Sequence, residues 1–502
     1  MTPPGRTTVL VPYDQLSSGH GAMAHAEPAT HDLLMVESST MLRSRTWHAQ
    51  RLHLVLSAAE HFAAEMTERG FTVHRTTAVS VADGVRDFKT HNSSATIIAT
   101  EPTSHALRTS LVEAGIQLID DDHFLTPLPE FVAWAGTQRS LKMETFYRWQ
   151  RRRLGVMVDG DEPWGGAWNF DADNRLPPPK EPHPWPDPLR HELDDIDTRT
   201  WQRIVDEGLP VTGSAPSGTW GTTRAAALQQ LDHFLEFSLP GFGPYEDAMP
   251  STTWSVNHSL LSPYLNIGLI SPREDVDAAL TRFAAGGVEL SSLEGFVRQI
   301  IGWREYVRGL YWVFGPDYRL ANALDAHAPL PAAFEGEPTS MACMSNIVGD
   351  VHARGWVHHI PRLMVLANLA LTAGVQPQAM LDWMRRMFVD AADWVMVPNV
   401  IGMGVHADGG RMMTKPYAAG GAYISRMGRY CSGCTFDPKL RAGEKACPFT
   451  TLYWDFLDRH RKEFGKNPRM AQQVRGLDRL SDLPELRVRA VEIHRRLTEG
   501  SL

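Results

Sequence analysis

Cysteine is scarce in this chain: four residues in 502, all in the last third, and nothing at the N-terminus suggests export, so a disulfide-stapled extracellular scaffold is the weakest reading of them. Long apolar runs are missing too. The best candidate, Leu363 to Val375, is interrupted by Asn368 and Gly374 and falls short of the ~18 uninterrupted apolar residues of a membrane span. No cleavage-site pattern follows the short apolar run Val9 to Val11, so no signal peptide is expected and the chain is assigned to the cytoplasm, away from membranes. Positive charge is not in excess: 49 Lys and Arg face 58 Asp and Glu, a net charge of −9. That balance excludes a protein coating nucleic acid along its whole surface but leaves room for a local basic cleft. What is present is a chain 43% hydrophobic and 21% charged, long enough for at least two domains.

The expected fold is α/β plus all-α. Residues 1–130 alternate strand-like runs (Thr8 to Val11, Leu33 to Val36, Phe71 to His74, Thr96 to Ala99, Ile116 to Ile119) with helical stretches such as Trp47 to Arg69, which predicts a doubly wound parallel sheet. Gly19-His-Gly21-Ala-Met-Ala24 formally matches a dinucleotide fingerprint. It lies well past the first strand, and Pro28 stands where the phosphate-binding helix should run, so it is rejected. Asp14 and Glu37, each directly after a strand, are better placed to orient a polar ring, or simply to cap helices. Residues 131–200 read as a connector in which Arg148, Arg151 and Arg152 share a helix face suited to phosphates or to solvent. Residues 201–502 carry helical periodicity throughout. From Glu294 to Trp312, Phe296, Ile300, Trp303, Val307 and Leu310 form an apolar stripe, with Arg304 and Arg308 on another face.

The cysteines form one constellation: Cys343, then Cys431-Ser-Gly-Cys434, then Cys447-Pro448. A CxxC turn, a nearby third thiol and a distant fourth can close one four-thiolate shell. An iron–sulfur cluster and zinc both satisfy that pattern. His258 to Ser271 adds hydroxyls and Gly268 at turn positions, a pattern able to bind a pyrophosphate through side chains and backbone N–H groups.

This stretch, His258-Ser259-Leu260-Leu-Ser262-Pro-Tyr-Leu-Asn266-Ile-Gly268, resembles the flavin-pyrophosphate segment of the photolyase/cryptochrome family, and Gln299-Ile-Ile-Gly-Trp303-Arg304-Glu305-Tyr306 is similar to that family's Trp-Arg-Glu-Phe helix. Further matches run in order: Met143 to Arg148, Trp168 to Arg175, Phe242 to Met249, His358-His359-Ile-Pro-Arg362, Asp393-Trp394-Val-Met396-Val-Pro-Asn399, Ala407 to Gly410, Lys415-Pro-Tyr417 and Tyr430-Cys431. With the four cysteines, the chain resembles the iron–sulfur bacterial cryptochromes and photolyases, also called prokaryotic (6-4) photolyases.

That resemblance implies FAD in the helical domain, a [4Fe-4S] cluster on Cys343, Cys431, Cys434 and Cys447, and a 6,7-dimethyl-8-ribityllumazine antenna held by Asp14 and Glu37. It further implies that His258, Ser259, Leu260, Ser262, Asn266, Gly268, Tyr245, Gln299, Trp303, Arg304 and Asp393 surround the flavin and that Asn399 faces its N5 edge. His358 and His359 would line the lesion pocket, His359 supplying a proton because an unperturbed imidazole titrates near neutrality. Trp383 would be the electron donor nearest the flavin. Tyr417, Tyr423, Arg175, Asp171 and Asp247 would meet UV-damaged DNA, with the protein acting as a monomer. Three positions depart from the family: Glu335 replaces an aromatic before Gly336, Met384 follows Trp383 where Tyr is usual, and Met396 stands where repair-active members carry Glu. The implied activity is blue-light repair of (6-4) photoproducts; a photoreceptor with the same cofactors and little repair is the alternative, and a cluster-bearing nucleic-acid binder like the primase large subunit is a third class.

Overall fold

The computed structural model describes residues 6–92, 96–180 and 182–502. Five strands, Thr7–Leu10, His31–Ser38, Thr72–Ala78, Thr96–Thr100 and Gln117–Ile119, lie within a few residues of the five predicted runs. Every pairing is parallel, and in chain order the sheet runs third, second, first, fourth, fifth. The strand order therefore reverses between Thr7–Leu10 and Thr96–Thr100, opening a crevice at their C-terminal ends. Asp14 stands in that crevice and accepts a 2.5 Å hydrogen bond from Thr103, which follows the other strand. The long helix Ala49–Glu68 buries Leu52, Leu54, Ala58, Phe62 and Met66, as its periodicity requires.

Beyond residue 120 the described residues form helices joined by loops, and extended pairing is confined to two-residue strands and bridges. The seam with the sheet is polar as well as apolar: Leu16 donates its N–H to Ile267 O at 2.8 Å, and the Gly268 that follows takes φ +86°. A Cβ there would lie 3.0 Å from the Leu16 nitrogen, so both the turn and the close approach require glycine. Gly268 also opens onto a cavity of about 560 Å³ between the sheet and the helices.

One arginine reading needs correction. Arg151 does not share a solvent face with Arg148 and Arg152; it is fully buried and donates to the carbonyls of Val156, Met157 and Trp168. Arg148 pairs instead with Glu144, and Arg152 lies over the Trp168 ring, so this helix offers no row of free guanidinium groups. Arg304 and Arg308 are likewise buried, each with its guanidinium 4.1 Å from the Phe124 ring. Periodicity marked them as a separate face, but it could not say that this face meets the sheet domain rather than water.

Candidate functional site

The segments carrying the matched motifs share a backbone irregularity. The helix Leu290–Val297 passes through a π-helical stretch, Arg298–Arg304, before resuming as Glu305–Phe314; Arg362–Ala367 and Pro398–Gly404 are π-helical too. Such turns widen the helix and recur at functional sites. Here they hold Gln299, Trp303 and Arg304, follow directly on His358-His359, and hold Asn399. Val256 and Leu260, on either side of His258, take φ +50° and +58°, a left-handed conformation costly for branched side chains and concentrated at binding sites.

His258 and His358 stack, centroids 4.1 Å apart and planes 22° from parallel. His258 Nε2 and His358 Nδ1 are buried without any hydrogen-bond partner, so the pair offers imidazole nitrogens to something other than protein. Burial, then the neighbouring imidazole of His359 and the Arg362 guanidinium, pushes His258 down to about 3; burial and His258 hold His358 far below the usual range. His359 is accessible to solvent yet hemmed in by neighbours, the signature of a side chain lining a concavity. Burial and Arg362 push it down to about 4. Both influences act against the charged form, so a proton on His359 would need support from whatever binds beside it.

Below the histidines, Asp390 gathers the site. It accepts from Arg362 in a two-toothed pair at 3.0 and 2.9 Å and from Ser262 Oγ at 2.7 Å, while its backbone oxygen accepts from Asn266 Nδ2 at 2.7 Å. Asp393, the carboxylate singled out in the sequence, pairs instead with Arg385 at 2.5 Å. The two carboxylates stand three residues apart, and no local pattern says which one faces Ser262; Asp390 is the residue that sequence reasoning missed.

Asn399 donates to Val395 O at 2.8 Å, and Met396 is buried close by in sequence, so no carboxylate occupies that position. Gln299 donates to Glu246 at 2.6 Å. Burial, partly offset by Arg298 and reinforced by Asp247 and Asp171, pushes Glu246 up to about 8; burial pushes Asp247 up to about 6 against Arg175. Asp171 bridges Arg175 and Arg298, the latter at 2.7 Å. Tyr417 and Tyr423 are half-buried at this opening, where Arg175, Asp171 and Asp247 bear on Tyr417, and Arg426 stands 5.6 Å from the Tyr423 ring.

Other candidate residues lie among different partners. Tyr245 packs with His183 and Trp185, ring centroids 5.3 Å away in both cases, and Trp303 packs with Tyr306 at 6.2 Å. Arg304 is spent on Glu305, 3.3 Å away, and on the rings of Phe124 and Trp394. Ser259 O accepts from Gln230 at 3.0 Å, and Leu260 is buried. Glu37 is buried against Arg203. Trp383 is fully buried, its Nε1 donating to Phe334 O at 3.0 Å, with Met384 buried beside it in sequence; Glu335 pairs with Arg386.

The four cysteines converge. Cys343, Cys431, Cys434 and Cys447 line one small void walled by Met341, Ile424 and Phe449. Burial, then the charge of the other three thiols, pushes the Cys343 thiol up. Four thiols facing one void are the donor set of a four-thiolate metal centre. Gly421 completes the cradle, since a Cβ on it would come within 2.7 Å of Cys447 Sγ.

The comparisons with known proteins agree with this geometry. Residues 9–220 match the family model described as deoxyribodipyrimidine photo-lyase-related protein. Over 97% of its length the chain is 38% identical to the (6-4) photolyase of Agrobacterium fabrum, 99% of which is covered. A shorter match, 41% identical over 68 residues, is to an uncharacterized protein of Acanthamoeba polyphaga mimivirus. The fold resembles the crystal structure of a bacterial class III photolyase from Agrobacterium tumefaciens, with a TM-score of 0.55 at 17% identity over 99% of both chains. Near-complete coverage at that level of identity to a curated photolyase, on a parallel-sheet-plus-helical fold with the motif segments gathered around His358 and Asp390, means that the chain belongs to the photolyase family.

Proposed function

We propose that the chain is a blue-light-driven DNA photolyase acting on (6-4) pyrimidine–pyrimidone photoproducts, with FAD as its catalytic chromophore. The observation that carries the reading is the His258–His358 stack with two buried, unpartnered imidazole nitrogens beside the Ser262–Asp390–Arg362 group. These residues fit a flavin nucleotide: Ser262, Ser259 and the Gly268 turn supply hydroxyls and a small-residue approach for the diphosphate, and Asn399 supplies an amide for the ring edge. Bound there in its reduced form, the flavin supplies one electron to the lesion under light. The chain's own part is positioning and proton supply. Arg362, fixed by Asp390, holds positive charge beside His359; His359 hydrogen-bonds the flipped-out base and, taking up a proton from solvent as negative charge develops next to it, passes that proton to the lesion. Arg175, Tyr417 and Tyr423 rim the opening for the DNA.

The four-thiolate donor set and its convergence on one void support a [4Fe-4S] cluster on Cys343, Cys431, Cys434 and Cys447, tying the CxxC segment to the helix Ala342–Arg354. Asp14, in the crevice between the first and fourth strands, and Glu37, near the end of the second strand, are the residues we assign to a 6,7-dimethyl-8-ribityllumazine antenna. A photoreceptor with the same cofactors is favoured by one observation, the buried Met396 where a carboxylate would serve repair.

The test is incubation of flavin-reduced protein with (6-4) and cyclobutane lesions under blue light, followed by chromatography of the products. Conversion of (6-4) lesions by the wild type, with His359→Ala and His359→Asn retaining DNA binding but losing at least about a hundredfold in turnover, is expected. Unchanged turnover in His359→Ala removes the histidine from the mechanism; no repair by wild type or by Met396→Glu establishes the photoreceptor reading.

A further inference from the structure

The turn that carries Asp390, residues 388–391, lies between the helices Pro377–Met387 and Asp393–Val397 and belongs to neither, so its carbonyls must find partners elsewhere. One side chain takes two of them. Arg51 Nη1 donates to Phe388 O and to Ala391 O, both at 2.9 Å, and so spans the turn on either side of Asp390. Arg51 lies in no matched motif. It belongs to the helix Ala49–Glu68, whose Leu54, Phe62 and Met66 share a core with Val9 and Leu33 of the parallel sheet. From the opposite side Val389 donates its N–H to Gly355 O at 2.9 Å. Gly355 ends the helix Ala342–Arg354 with φ +67°, and a Cβ on it would come within 2.7 Å of Val389 Cγ1 and 3.1 Å of His48 Nδ1. Glycine is required where the three segments meet.

The same end of the sheet-domain helix takes up the last carbonyls of the helix Ala342–Arg354. His48 Nδ1 accepts from Gln50 N, which leaves Nε2 to donate to His352 O at 3.0 Å, and Gln50 Nε2 donates to Ala353 O at 2.8 Å. His48 and Gln50 are both buried. Only Gly355, Trp356 and Val357 separate that helix end from His358-His359. The approach to the histidines and the turn that carries Asp390 are therefore held by neighbouring residues of one helix start.

Arg51 brings a charge as well as two hydrogen bonds. Burial and the Arg385 guanidinium push it down to about 10, against Asp390 and Asp393, so it stays a cation at neutral pH. Among the described residues no carboxylate pairs with it: Arg45, which shares the Trp47 ring with it, pairs with Asp382, and Arg385 pairs with Asp393. Keeping a guanidinium from water is costly, and here the cost is offset by charge-assisted bonds to main-chain carbonyls.

We propose that Arg51 is a positioning residue of the flavin site: through the Phe388 and Ala391 carbonyls it sets where Asp390 meets Ser262 and Arg362, and so makes flavin binding depend on the docked sheet domain. The proposal rests on the reading of that group as a flavin site, and on no lesion or antenna chemistry. Arg51→Met removes both donors and the charge, whereas Arg51→Lys keeps the charge and one reachable carbonyl.

Two measurements on the full chain test it. In the flavin-free protein, hydrogen exchange at Val389 should quicken about tenfold or more in Arg51→Met and stay at the wild-type rate in Arg45→Met, which loses only the Asp382 pair beside the same Trp47 ring. In the flavin-loaded protein, Arg51→Met should weaken flavin binding about tenfold, and Arg51→Lys should recover part of that loss. Arg51→Met should add nothing to the effect of Asp390→Asn, because both act through one carboxylate. A role confined to packing gives equal losses in Arg45→Met and Arg51→Met, no recovery in Arg51→Lys and simple addition to Asp390→Asn; any of these overturns the proposal, as does wild-type exchange at Val389 in Arg51→Met. Should Arg51→Met not fold, Arg51→Lys is expected to show both effects at smaller size, and wild-type behaviour there overturns the proposal. A wild type that binds no flavin refutes the flavin reading, and exchange at Val389 still decides whether Arg51 holds the turn.

Discussion

The Arg362–Asp390 pair gives the sharpest energetic expectation. Asp390→Ala removes the acceptor of two guanidinium hydrogen bonds and of the Ser262 hydroxyl, while Arg362 stays lodged 4.1 Å from the Phe388 ring. The side chains are 7% and 18% exposed, so the stranded cation cannot regain much water. Breaking one partner of such a pair costs about 3–5 kcal/mol. Arg362→Met should cost a comparable amount by stranding the carboxylate, while the double variant buries neither charge and should fall short of the sum by about 2 kcal/mol or more. Urea unfolding of the flavin-free protein, followed by helical circular dichroism, measures all four corners of this cycle. If the two substitutions add to within about 0.5 kcal/mol, the pair is not an interacting unit and the account of Ser262 positioning fails with it. Flavin retention is the second readout: with Asp390 gone, Ser262 loses the acceptor that orients it, and Asp390→Ala should release flavin on gel filtration more than Asp393→Ala does.

Replacing any one of Cys343, Cys431, Cys434 or Cys447 with Ser should abolish the iron content of anaerobically purified protein and lower its solubility; stoichiometric zinc without iron in the wild type would refute the cluster. Gly268→Ala should destabilise the seam between sheet and helices by about 1–3 kcal/mol, from the left-handed backbone and the 3.0 Å approach to the Leu16 nitrogen, and should increase proteolytic cleavage near Leu16. Glu246 is raised to about 8 from an ordinary 4.5, so the folded state binds more protons than the unfolded state between those values and stability contributed there falls as pH rises through that window. Glu246→Gln should therefore lose less stability than the wild type between pH 5 and pH 8 in urea titrations; equal slopes would show that the carboxyl is ionised throughout.

The sequence by itself determined the five parallel strands, the helical remainder and the cysteine constellation, because these depend on period, turn residues and ligand type, which are local. It also marked His258, Ser262, His358 and Asn399, whose neighbours form runs with few other uses. Tertiary structure decided the rest. Which of Asp390 and Asp393 serves Ser262 depends on how the Asp390 turn meets the Arg362 helix, and whether Arg151, Arg304 and Arg308 face water depends on what docks against them. Nor could the residue type of His359 reveal the Arg362 guanidinium beside it, which disfavours a charged imidazole and comes from the fold rather than from the run of sequence.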